Sequence, residues 1–200
     1  DSLAGVDIKM IAPSHGLVWR GKPEVVINKY IRYANYNRDH AEPEICLIWG
    51  SMYGNTEVIV NAILKGIASE GVPVTVHRVP NEDVSFILAD AYKSAGLVIG
   101  CPTYEYEMFP PMKYCLDLFK KKHLWYKKVL FFGSYGWSGG AQKDFDELSK
   151  SMKWDMLEPL TFRGHPTDEQ FEKGVKLGTE LAREVKKIPS KIKNEEYGMK

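Results

Sequence analysis

Seven consecutive residues, Gly50 to Thr56 (GSMYGNT), collect groups suited to holding a compact anion. Ser51 and Thr56 supply hydroxyls, Asn55 an amide, and Gly54 a backbone that a ligand can approach closely. Met52 and Tyr53 fill the turn between them. A helical pattern begins at Asn55, so unpaired N–H groups and the positive end of a helix dipole face the same space. The stretch holds no lysine or arginine. A nucleotide-binding P-loop ends in Gly-Lys-Ser/Thr, and a dinucleotide loop needs three spaced glycines; neither pattern is present. The residues suit a phosphate monoester held by hydroxyls and amides without a cation, although a plain helix start with nothing bound would look the same.

Two further tracts share the character of a loop at the end of a strand. In CPTYEYEMFPP (Cys101 to Pro111), Pro102 and the Pro110-Pro111 pair stiffen the ends, with Thr103, Tyr104, Glu105 and Tyr106 between them. Tyrosines there suit stacking on a flat ring, or could simply cap the core. In GSYGWSGG (Gly133 to Gly140), Gly136 and Gly139 let the backbone press against a ligand, Tyr135 and Trp137 add aromatic area, and Ser134 and Ser138 add hydroxyls. A phosphate loop with two companions built for a flat ring points to flavin mononucleotide (FMN).

The elements that position these tracts alternate. Near-continuous apolar runs at Ile45 to Gly50, Ala95 to Gly100 and Lys128 to Gly133 suit strands buried on both faces. Val72 to Val79 alternates, as a strand nearer an edge would, and Met156 to Phe162 fits a last strand. Helical spacing covers Asn55 to Glu70, Asp83 to Tyr92, Pro110 to Lys121, Ala141 to Met152 and Thr167 to Lys187, the last with Thr167 and Gln170 placed for a capping box. Five strands alternating with five helices predict an α/β fold: an open parallel sheet with helices on both faces. Ligands of such sheets sit beyond the carboxyl ends of the strands, where the three tracts fall.

Composition sets the limits. Two hundred residues, 44% apolar and 26% charged, suit one domain with a short appendage. A net charge of +1 with interleaved signs gives no reason to invoke nucleic acid, and no apolar run reaches the ~20 residues of a membrane span. The odd count of three cysteines (Cys46, Cys101 and Cys115) argues for a reducing, cytoplasmic setting, and the apolar runs around Cys46 and Cys101 argue for packing roles there. The start, DSLAGVDIKM, lacks the features of a signal peptide and an initiator methionine, which suggests a fragment or a processed product.

GSMYGNT, the loop opening PTYEYE, and FGSYGWSGGAQ (Phe132 to Gln142) together resemble the flavodoxin-like domain of flavodiiron proteins, also known as A-type flavoproteins. The resemblance implies a five-stranded sheet of order 2-1-3-4-5 over residues 43–189. It also implies FMN, with the first loop at the phosphate and the other two around the isoalloxazine ring. Upstream, IAPSHGLVWRGKP (Ile11 to Pro23) looks like the end of that family's metallo-β-lactamase-like domain. Residues 1–42 would be its remnant plus linker, and residues 190–200 a charged tail. The iron-ligand role of the PSHG segment would fall on His15, provided the rest of the di-iron domain is present, since no HxExDH motif occurs here.

The family implies electron flow from a rubredoxin-like donor through FMN to a di-iron site that reduces dioxygen or nitric oxide, in a head-to-tail homodimer. Alone, the chain would be an electron carrier. Apolar residues of the remnant (Ile11, Val18, Trp19, Val25 and Ile31) would be poorly packed and seek a partner surface. Glu105 near the ring would disfavour an anionic reduced flavin.

Two rival readings remain, and a third fails. A flavodoxin-like NAD(P)H-dependent FMN or quinone reductase shares the fold but would need a nicotinamide site that the sequence does not display. GWSGG (Gly136 to Gly140) fits a hydrolase nucleophile pattern at Ser138, with Asp155 and His165 following in order. A phospho-acceptor domain would need aspartates where Trp49-Gly50 and Gly100-Cys101 stand. The lysines at 120–122 and 127–128 read as a solvated face, and His40, His77, His123 and His165 as surface residues.

Overall fold

Each buried apolar run of the sequence becomes a strand at the centre of one sheet. The computed structural model describes residues 5–36 and 41–189; the expected tail at 190–200 and His40 lie outside them. Strands β1 (Glu42–Trp49), β2 (Val74–Arg78), β3 (Ser94–Gly100) and β6 (Lys128–Tyr135) pair in parallel in the order β2-β1-β3-β6. The expected fifth strand is present as two short pieces, β7 (Asp155–Met156) and β8 (Leu160–Arg163), each parallel to β6. Pro159 falls in the gap, and a proline has no N–H to give to a ladder. Strands β4 (Thr103–Tyr104) and β5 (Glu107–Met108) form a separate antiparallel hairpin inside the second tract.

Side chains alternate across the sheet and so divide the core in two. Ile45, Leu47, Val98, Leu130 and Phe132 point to a face covered by α2 (Asn55–Ser69) and α6 (Asp168–Lys186). Cys46, Ile48, Leu97, Ile99 and Phe131 point to the other, covered by α3 (Val84–Lys93), α4 (Pro110–Lys121) and α5 (Ala141–Ser149). Helices α2 and α6 approach backbone to backbone: a Cβ at Gly66 would stand 2.1 Å from the Val175 carbonyl oxygen. Helix α6 begins on the expected capping box of Thr167 and Gln170.

The segment before β1 contains a helix, α1 (Pro23–Asn35), none of whose residues is buried. Val18 and Ile31 are exposed there, and Ile11 and Trp19 meet only in an isolated antiparallel bridge. The helix end is tied to the sheet through Glu42, whose carboxylate accepts from Arg32 Nε at 3.2 Å and from the Tyr36 hydroxyl at 3.1 Å. Burial, reinforced by that carboxylate, pushes the Tyr36 phenol up to about 12.

Two expected surface residues are interior. Lys127 is 1% exposed and donates to the carbonyls of Tyr92 and Ser94, both at 2.7 Å. An ammonium group enters the core here because two carbonyls at the sheet's amino end receive it. His77 is buried on β2, with Nδ1 2.7 Å from Glu82 and Nε2 3.0 Å from Asp90. That hydrogen bond holds the Glu82 carboxyl below the usual glutamate range. His123 and His165 are exposed, as expected.

Candidate functional site

Three strand ends lie level at the carboxyl edge of the sheet. The Gly50 N–H donates to the Gly100 carbonyl and the Cys101 N–H to the Phe132 carbonyl, each at 2.9 Å. The three tracts of the sequence therefore leave the sheet side by side.

The first loop turns on Gly54, which has a left-handed φ of 85° and is the residue before α2. Ser51 Oγ accepts from the Gly54 N–H at 2.9 Å, so this hydroxyl closes the loop on itself. No side chain caps α2. By contrast, Asp83 caps α3 and Thr167 caps α6. The N–H groups of Asn55 and Thr56 fall among those that a helix start leaves without intrahelical partners. Thr56 is fully buried, and its hydroxyl lies 3.2 Å from that of Ser134 in the third loop.

The second loop is the β4–β5 hairpin, and its two-residue turn is Glu105 (φ 44°) and Tyr106 (φ 67°). A turn with positive φ at both positions matches the twist of the flanking strands, which is why Asn and Gly are usual there. Non-glycine residues in this conformation cost about 1–2 kcal/mol each. The strain has a compensating fixture in Thr103, whose hydroxyl accepts from the N–H groups of Gly140 and Ala141, both at 3.2 Å. At the hairpin's other end, the Met108 N–H donates to Asp144 at 2.9 Å.

The third loop continues from β6. The Tyr135 carbonyl accepts from the Gly164 N–H at 2.9 Å, and the Gly136 carbonyl from Arg163 Nε at 2.8 Å. Both contacts bring in the end of β8, which the sequence reading did not include. The sequence offered only a glycine just past the expected last strand; in the fold Gly164 has a positive φ of 63°.

A cavity of about 480 Å³ opens among these loops. Met52, Tyr53 and Asn55 line it from the first loop, and Pro102 through Tyr106 from the second. Ser134 through Ser138 line it from the third, with Gly164 beside them. Ser51, Gly54, Thr56 and Gly139 are outside the lining: the first three shape or anchor the first loop, and Gly139 faces a neighbouring depression against α5. Trp137 is 91% and Tyr53 87% exposed, with Tyr104 and Tyr106 exposed beside them. Four bare aromatic rings around one opening form a surface that a flat, partly apolar ligand would cover. The shape, the uncapped helix start and the aromatic rim fit a flavin and its phosphate. Cys101, at the start of the second loop, is fully buried, and burial pushes its thiol up to about 12.

The nucleophile pattern finds no triad. Ser138 follows the carboxyl end of β6, whereas Asp155 pairs with Lys128 at the amino end of that strand. An eight-residue strand spans about 25 Å. His15 is exposed, and among the described residues no group of three or more His, Cys, Asp or Glu side chains could hold a metal ion. No described helix is long and apolar enough to cross a membrane.

Comparisons with known proteins agree with this fold. The flavodoxin family pattern matches residues 47–178. The anaerobic nitric oxide reductase flavorubredoxin of Aeromonas hydrophila is 31% identical over 179 residues, which are 88% of this chain and 36% of that protein. Rubredoxin:oxygen oxidoreductase from Desulfovibrio gigas superposes with a TM-score of 0.84 at 26% identity, over 92% of this chain and 46% of that one. An archaeal flavodoxin superposes with a TM-score of 0.64 at 28% identity, over 72% of this chain and 99% of that one. The chain thus spans about a third of the length of the flavorubredoxins it matches and about half of the oxidoreductase.

Proposed function

The chain belongs to the flavodoxin family, and we propose that it binds FMN in the cavity between Tyr53, Tyr104 and Trp137 and serves as the electron-transfer domain of a flavodiiron oxidoreductase. One observation carries the reading: four exposed aromatic side chains from three separate loops ring a cavity that also opens on a helix start without a side-chain cap.

FMN supplies one- and two-electron chemistry when bound, and the protein supplies position and electrostatics. The N–H of Asn55, with the α2 dipole, favours a dianionic phosphate that needs no lysine. The Asn55 amide adds a neutral donor. Tyr104, Tyr135 and Trp137 offer faces and edges to the ring system and exclude water from it. Glu105 on the rim opposes accumulation of negative charge on a neighbouring ring.

Within the whole protein, the electrons would come from a rubredoxin-type donor and pass to a di-iron site in a metallo-β-lactamase-like domain that reduces nitric oxide or dioxygen. The names of the matched oxidoreductases support this scheme. Residues 1–42 would be the tail of that second domain, with His15 a ligand only when the remainder is present. The exposed Val18, Ile31 and Tyr33 would then meet it or a second copy of the chain. Three free, buried cysteines are consistent with a cytoplasmic home.

Purified protein should be yellow, release FMN on denaturation and accept reducing equivalents from reduced rubredoxin. Rapid bleaching by NADH or NADPH alone would replace the carrier with the reductase, and a colourless protein that ignores added FMN would remove the flavin altogether.

A further inference from the structure

We propose that Thr103 and Asp144 are positioning residues that lock the second and third loops into one rigid unit and so set the width of the flavin cleft. The inference rests on the flavin reading above.

Helix α5 begins after Gly140, which offers no side chain, and none of its own residues caps it. Its first N–H groups are capped from another loop, by the Thr103 hydroxyl, 37 and 38 positions away. In return, Asp144 in the first turn of α5 reaches back to the Met108 N–H in the hairpin. The hairpin is therefore held at both its strands, β4 through Thr103 and β5 through Met108.

Between these two fixtures the backbones touch. A Cβ on Gly140 would lie 1.7 Å from the Tyr106 carbonyl oxygen, so only glycine permits this seating. Glu105 and Tyr106 carry the strained left-handed turn at the tip of the same hairpin. A strained turn relaxes unless its surroundings over-determine it. The residues gripped by the clasp are the ones that line the cavity: Thr103 to Tyr106 on one side, and Tyr135 to Ser138 just before Gly140 on the other. Releasing either fixture lets the hairpin move relative to the third loop and changes the gap into which a flat ring must fit.

The test compares Thr103→Val and Asp144→Ala, which remove an acceptor, with Thr103→Ser and Asp144→Asn, which keep one. Three quantities are read in the full chain: FMN dissociation constant, the midpoint potentials of bound FMN, and the melting temperature without FMN. Thr103→Val and Asp144→Ala should bind FMN about tenfold more weakly, with shifted potentials, while Thr103→Ser and Asp144→Asn stay within about twofold of the unaltered protein. If one removal variant fails to fold, the other pair decides. Equal affinity and potentials across all four variants would overturn the inference while leaving the flavin site intact. Equal losses in the conservative and the removal variants would overturn it as well, because the hydrogen-bond acceptor would then not matter. An unaltered protein that takes up no FMN would overturn the flavin reading and this inference together.

Discussion

The hydroxyl oxygens of Thr56 and Ser134 lie 3.2 Å apart inside the protein, although 78 positions separate them. This contact joins the first turn of α2 to the end of β6, and with it the first loop to the third. Because Thr56 is fully buried, its hydroxyl has no water to fall back on. Ser134→Ala should therefore cost about 1–3 kcal/mol, since it leaves the Thr56 hydroxyl unpaired. Thr56→Val should cost less, because Ser134 lines the open cavity and water can take its partner's place, and the double variant less than the sum, because no buried orphan then remains. Urea unfolding of the four proteins measures the coupling; additive losses would mean that the hydroxyls do not depend on each other.

Gly66 and Gly178 let α2 and α6 pack at backbone distance, with a Cβ at Gly178 falling 2.3 Å from the Ile63 carbonyl oxygen. Alanine is the better helix former by about 1 kcal/mol, so an open site would gain from the change. Here the added methyl meets a carbonyl of the partner helix, which cannot swing aside as a side chain would. Gly66→Ala and Gly178→Ala should each lower stability by a net of about 1–3 kcal/mol. The cavity lies elsewhere, so folded protein should keep its FMN affinity. A rise in the urea midpoint would show that the helices part at no cost.

Much of this architecture was legible in the sequence, for reasons that differ by element. The runs at Ile45 to Gly50 and Ala95 to Gly100 read as strands because both faces of a central strand are buried, leaving no polar register to confuse the pattern. Thr167 and Gln170 marked the start of α6 because a capping box is local chemistry. The three loops were legible because glycine, tyrosine and hydroxyl residues recur at strand ends. What escaped was non-local. Lys127 and His77 look like surface residues until the carbonyls of Tyr92 and Ser94 and the carboxylates of Glu82 and Asp90 are brought to them by folding. Helix α1 carries no fully buried residue, so its apolar positions pointed to no core. Gly164 joined the site only because β8 runs beside β6. The hydroxyls of Ser51 and Thr56, which suit a phosphate when read in sequence, are engaged in the fold by the Gly54 N–H and the Ser134 hydroxyl, contacts that only the folded chain makes visible.

Lys127 makes a prediction of its own. Its ammonium group is enclosed and satisfies two carbonyls at the junction of α3 and β3. Lys127→Met keeps most of the volume and removes the charge, yet strands those carbonyls away from water. The expected loss is about 1–3 kcal/mol, read as a lower urea midpoint with an unchanged slope. A neutral or stabilising outcome would mean that the cost of burying the charge outweighs its hydrogen bonds.

The three thiols predict how stability varies with alkali. Burial pushes Cys101 and Cys115 up to about 12 and raises Cys46 as well. An unfolded thiol ionises near 8.5. Above that pH the unfolded chain has lost protons that the folded chain still holds, so the unfolded state binds fewer protons and stability falls as pH rises. Each thiol should contribute a slope of about 1.4 kcal/mol per pH unit once its unfolded form is fully ionised, ending for Cys101 and Cys115 near the folded value of about 12. Lysines and tyrosines titrate in the same range, so the measurement is a difference. Urea midpoints between pH 8 and 10 should drop more steeply for the unaltered protein than for a variant with all three cysteines replaced by alanine. In the folded protein none of the three should react with a thiol reagent at pH 8, and all three should react in urea. Parallel pH profiles for the two proteins would mean that the thiols ionise as readily folded as unfolded.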